Sequence, residues 1–132
     1  MSDGSSVSHI KKSRKEANLF RIVSDLFMKI RMEDSRLINL FIDRVELTTD
    51  KSRLRVLFYT PDGQAAFKEK MDILRLYKPS MRKAIADTIH ARYVPDLRFE
   101  YDAQFEKQDS LEKLLDEVSS RLKDHDNPDD EE

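Results

Sequence analysis

No cysteine and no tryptophan occur among the 132 residues, which include only two glycines and four prolines. The lack of cysteine excludes a disulfide scaffold, a thiolate zinc site, a thiol nucleophile and a Cys-ligated iron–sulfur cluster. Gly4 and Gly63 stand far apart, so no glycine-rich loop can cradle a phosphate. His9, His90 and His125 are scattered, and none lies three or four residues from another to share a metal. No serine sits in a nucleophile-elbow context. Nothing approaches 18 consecutive apolar residues, which excludes a membrane-spanning helix. The first thirty residues contain no apolar run of the signal-peptide kind, so a cytoplasmic location is expected. These absences predict a protein that is not an enzyme and has no cofactor, metal, membrane or small-molecule substrate.

Charge is what the chain has in abundance: 38% of its residues are Asp, Glu, Lys or Arg. The formal net charge of −2 conceals an asymmetry. Residues 1–98 hold 20 Lys or Arg against 13 Asp or Glu, while residues 99–132 hold 4 against 13. A basic body with an acidic appendage fits a nucleic-acid binder whose tail competes for the basic surface, although two solvated surfaces of different sign would look the same. A chain of this length forms one domain and buries about two-thirds of its unfolded surface without a staple.

Periodicity gives the elements. Residues 1–10 are small and polar and are expected to be loose. From Lys11 to Met32, Leu19, Val23, Leu26 and Ile30 recur at helical spacing, widened by Phe20, Ile22 and Phe27. Leu40–Thr48 and Arg53–Thr60 read as two strands of a hairpin with a loop longer than two residues. Asp43 shares the face of Phe41, Val45 and Leu47, which suggests a bulge or a later strand start. A helix carrying Phe67, Met71 and Leu74 follows, and Pro79 is expected to stop or kink it. A second helix with Met81, Ile85 and Ile89 inward runs to about Arg92. Leu97, Phe99 and Tyr101 alternate with charges in a third strand. Asp109 with Glu112 marks a helix start, and Leu111, Leu114, Leu115, Val118 and Leu122 form an apolar stripe expected to be buried. The predicted organisation is a flexible 1–10, a domain over 11–107, a C-terminal amphipathic helix over 108–123 and a disordered acidic tail over 124–132. The fold class is α+β, in two layers, with the order helix–strand–strand–helix–kink–helix–strand.

That order is similar to the type II KH domain, an RNA-binding module. Asp34-Ser35-Arg36-Leu37 followed by Val45-Glu46-Leu47-Thr48-Thr49-Asp50 resembles an Asp-Pro-Arg-Leu turn leading into the first hairpin. Arg92-Tyr93-Val94-Pro95-Asp96-Leu97-Arg98-Phe99-Glu100-Tyr101-Asp102 resembles the signature of the bacterial ribosome-binding factor A family. The resemblance spans roughly residues 12–122. It implies a non-catalytic assembly factor that binds ribosomal RNA of the immature small ribosomal subunit during late maturation and is associated with growth in the cold. It also implies an interhelical Ala-x-Gly kink lying at the RNA; Tyr77-Lys78-Pro79 occupies those positions.

Under that resemblance the expected RNA-binding set is Arg75, Tyr77, Lys78, Pro79, Arg82, Lys83, His90 and Arg92, with a second cluster of Lys11, Lys12, Arg14 and Lys15. Cations on a rigid helix suit phosphate and 2′-hydroxyl contacts, the main handles of folded RNA. Packing is the competing role for the tyrosines, and a solvated face for the charges. The chain is expected to act as a monomer. The alternatives are a KH-like protein with another RNA target, or a protein–protein adaptor using the C-terminal helix.

Overall fold

The computed structural model describes the backbone of residues 2–90 and 93–125, and the side chains of residues 12–90 and 93–122. Its elements are α1 (Ser2–Glu33), a 3-10 turn (Ser35–Leu37), β1 (Phe41–Leu47), β2 (Arg53–Tyr59), α2 (Gln64–Ile89), β3 (Asp96–Tyr101) and α3 (Ala103–His125). The chain divides into two compact units at the Asp102–Ala103 join.

In the first unit β1 and β2 pair antiparallel, and α2 returns the chain so that β3 runs parallel to β2, giving the sheet order β1-β2-β3. The register slips between Ile42 and Arg44, so Asp43 is the bulge that its interruption of the apolar alternation foretold. The hairpin loop is indeed long. Asp50 closes it by accepting from the Ser52 N–H (3.1 Å) and the Thr48 hydroxyl (2.8 Å), and Lys51 takes the left-handed conformation (φ 61°) that the turn requires. One sheet face meets α1 and α2 over a single apolar core. Leu19, Val23 and Phe27 of α1 and Phe67, Leu74, Met81 and Ile85 of α2 meet Leu47, Leu54, Val56, Phe58, Leu97 and Phe99 of the sheet. Phe58 is its hub, with the rings of Phe27 (5.2 Å), Phe67 (5.7 Å) and Phe99 (5.5 Å) around it. On the opposite face the alternation places charges, and they are cross-linked. Arg44 bridges Asp102 (2.8 Å) and Glu46 (2.7 Å), and Arg55 bridges Glu46 and Glu100 (2.7 Å).

Four expectations need correction. Residues 2–10 are helical, because one glycine and no proline give a nucleated α1 nothing to stop at. The tandem helices are one continuous helix with Pro79 inside it, and tertiary packing on both sides of the proline outweighs its helix-breaking tendency. The last helix begins at Ala103, five residues before the expected start; Asp109 is interior and pairs with Lys113 (3.0 Å) instead of capping. In the second unit Leu111, Leu114, Leu115, Val118 and Leu122 are 44–58% exposed, not buried. Residues 126–132 of the acidic tail lie outside the described residues.

Candidate nucleic-acid interface

The helical period sorts the side chains of α2. Phe67, Leu74, Met81 and Ile85 are buried. About 100° per residue then puts Lys68, Arg75 and Arg82, seven residues apart, on one flank of that buried stripe. This flank faces β3. Met71, Arg75 and Lys78 of α2 and Arg98, Phe99 and Glu100 of β3 line a hollow of about 360 Å³. Its apolar side is Met71 and Phe99, and three of its six lining residues are cations.

β3 is also an edge strand. Asp96 and Asp102 give their N–H groups towards β2, to Ser52 O (2.9 Å) and Phe58 O (2.8 Å). With no shift in the parallel register, the period of two turns the backbone groups of Leu97, Phe99 and Tyr101 to the open edge. Backbone donors and acceptors therefore lie beside the basic flank.

The charges here are only lightly committed. Lys78, 33% exposed, reaches Asp96 at 3.8 Å. Arg75, 67% exposed, touches Asp72 at 3.2 Å. Exposed pairs of this kind contribute at most about 1 kcal/mol, so a phosphate can displace them. Glu100 is different. The hydrogen bonds from Arg55 hold its carboxyl below its ordinary value, so its charge is engaged from the far side of the sheet.

Tyr77 is fixed by the fold. Its hydroxyl donates to Asp34 Oδ2 at 2.7 Å, and its ring packs on the core. Asp34, in the turn after α1, also accepts from the Arg36 N–H (3.1 Å), Nε (2.9 Å) and Nη2 (2.7 Å). These bonds, those of Arg36 foremost and that of Tyr77 next, hold the Asp34 carboxyl well below the usual carboxylate range. Lys70 adds a bond to the Arg36 carbonyl. Tyr77 and, seven residues before it, Lys70 are thus tied to the α1–β1 turn, and the Tyr77 ring packs inward against the core.

The structure brings together Arg75, Lys78, Pro79 and Arg82 of the expected set. Lys83 is exposed but lies about 100° round the helix from Arg82, on the neighbouring face. His90 caps α2 in the left-handed region (φ 52°), its N–H donating to Ala86 O (3.0 Å). Lys12, Arg14 and Lys15 lie on α1 and line no part of the hollow. Arg92 and the Lys11 side chain fall outside the described residues. Two cations were missed by sequence reasoning. Lys68 carries a signal, its seven-residue step to Arg75; Arg98 does not, because only the crossover by α2 brings β3 beside that helix. Among the described residues no group of three His, Asp or Glu could hold a metal, and no helix is long and apolar enough to cross a membrane.

Residues 11–115 match the family model described as Ribosome-binding factor A. Ribosome-binding factor A of Syntrophobacter fumaroxidans is 34% identical over 112 residues, covering 82% of this chain and 94% of that one. The crystal structure of ribosome-binding factor A from Thermus thermophilus superposes with a TM-score of 0.58 at 26% identity, over 68% of this chain and 93% of that one. A homology model of the Thermus thermophilus factor, fitted into a cryo-electron-microscopy map of a 30S complex, matches with a TM-score of 0.52 at 26% identity, over 64% and 87%. With four-fifths of its length aligned, the α+β architecture shared and the signature strand in place, this chain belongs to the ribosome-binding factor A family.

Proposed function

We propose that this protein binds ribosomal RNA of the immature small ribosomal subunit and assists its late maturation, without catalysis, as a cytoplasmic monomer. The observation that carries the reading is the row Lys68, Arg75 and Arg82 on one rigid helix, with Lys78 and Arg98 at the hollow beside it. Positive charges at fixed spacing suit a phosphate backbone, and the neighbouring strand edge offers backbone groups for further hydrogen bonds. Membership of a family named for ribosome binding, with a relative fitted into a 30S map, supports the ribosome as the source of that RNA. Lys83 and the cluster Lys11, Lys12, Arg14 and Lys15 would add contacts from other faces. Nothing in the interface supplies a nucleophile or a paired acid and base, which favours a binding role.

The test is occupancy. Lysate sedimentation should find the protein in free small-subunit fractions, and the triple variant Lys78→Glu, Arg82→Glu, Lys83→Glu should leave them. Unchanged occupancy of immature particles by this variant refutes the mechanism. The exposed stripe of α3 favours a second reading, an adaptor that holds a protein partner. Under that reading, co-sedimentation survives ribonuclease.

A further inference from the structure

Inside an α-helix the carbonyl of residue i accepts from the N–H of residue i+4. In α2 the carbonyl of Arg75 should accept from residue 79, which is Pro79 and has no N–H to give. A proline ring inside a helix also crowds the carbonyl four residues before it, which works against the bond reforming there. The chain does not escape by ending the helix, because α2 runs on to Ile89. Nor is it free to slide, because the helix is held on both sides of the proline: Leu74 and Met81 are buried in the core, and Tyr77 donates to Asp34 at 2.7 Å.

The acceptor so released sits in a charged setting. It belongs to Arg75, which lines the hollow, and it lies between Lys68 and Arg82 on the same flank. Arg75, Pro79 and Arg82 are all exposed residues, so this stretch of the flank faces solvent. A phosphate cannot use it, having no proton to give at neutral pH. The group beside every RNA phosphate that can donate is the ribose 2′-hydroxyl, which DNA lacks.

We propose that the Arg75 carbonyl, unpaired by Pro79, receives a ribose 2′-hydroxyl while the flanking cations hold phosphates, so that this flank selects RNA over other polyanions. The proposal rests on reading this face as the RNA site. It makes Pro79 a specificity device: a residue that removes a donor and thereby creates a receptor, without reading any base.

The experiment uses the full chain and its Pro79→Ala variant, which restores the N–H and favours the helix, so folding is retained and a melting curve checks it. The probes are a mixed-sequence RNA hairpin and its 2′-O-methyl counterpart, which keeps the A-form but cannot donate. The parent should bind RNA about three- to tenfold tighter than the methylated probe, the effect of one neutral hydrogen bond. Pro79→Ala should bring that ratio close to one while leaving the salt dependence unchanged. A ratio that persists in Pro79→Ala, or a parent that binds both probes alike, overturns the proposal. An Arg75→Glu, Arg82→Glu double variant that binds RNA as the parent does would instead overturn the reading of this face, and the two failures are distinguishable.

Discussion

Five cations, Lys68, Arg75, Lys78, Arg82 and Arg98, lie on or beside the α2–β3 flank, and their number sets a measurable quantity. Each phosphate neutralised steepens the slope of log affinity against log salt by about 0.7 to 0.9. If all five engage, the slope lies between about −3.5 and −4.5. Between 50 and 200 mM salt, affinity should then fall by roughly 130- to 500-fold. Changing Arg75, Arg82 and Arg98 to Ala leaves two cations, a slope of about −1.4 to −1.8 and a loss of only about 7- to 12-fold over the same range. Removing the Arg75–Asp72 contact costs little, because both side chains are exposed. Fluorescence anisotropy of a labelled RNA hairpin at four salt concentrations reads both slopes, with melting curves to confirm folding. A triple variant with the parent's slope would place the phosphate contacts elsewhere, and a parent slope shallower than about −1 would remove backbone neutralisation as the source of binding.

Two further outcomes follow from the rest of the fold. Burial, reinforced by a hydrogen bond with Asp102, pushes the Asp43 carboxyl up to about 6. A carboxyl raised in the folded state stabilises it below the unfolded value near 4, and that contribution fades as pH rises towards 6. Asp43→Asn, which stays neutral, should therefore exceed the parent in stability at pH 7 by about 1–3 kcal/mol, the margin closing near pH 4. Urea unfolding at pH 4, 5, 6 and 7 checks this, and a margin independent of pH refutes it. In α3, Val118→Asp should change stability by less than about 0.5 kcal/mol, since Val118 is 44% exposed, whereas Leu54→Ala, at a fully buried position, should cost about 2–5 kcal/mol. Thermal denaturation separates the two; comparable losses would mean that the stripe is buried in solution.

Much of this was legible in the chain itself. The spacing of Leu19, Val23 and Phe27, the alternation of Leu54, Val56 and Phe58, and that of Leu97, Phe99 and Tyr101 depend on periods of 3.6 and 2, which local sequence carries. The bulge at Asp43 showed because a carboxylate at an inward position interrupts an apolar row, and burying it there is costly. The family was foreshadowed by the residues of Arg92–Asp102 that resemble its signature. Other features depended on distant partners. Whether Pro79 ends a helix or lies within one is decided by what holds the residues around it, here the core that buries Leu74 and Met81 and the turn residue Asp34, 43 positions away in sequence from Tyr77. The same holds for Tyr77, whose hydroxyl goes to a turn that sequence proximity does not reveal, and for Arg98, which joins the basic flank only because β3 pairs parallel to β2 at the sheet edge. Local periodicity specifies which face of an element is apolar; only the assembled fold specifies which polar faces meet, because hydrogen bonds and ion pairs are short-ranged and their partners are chosen by topology.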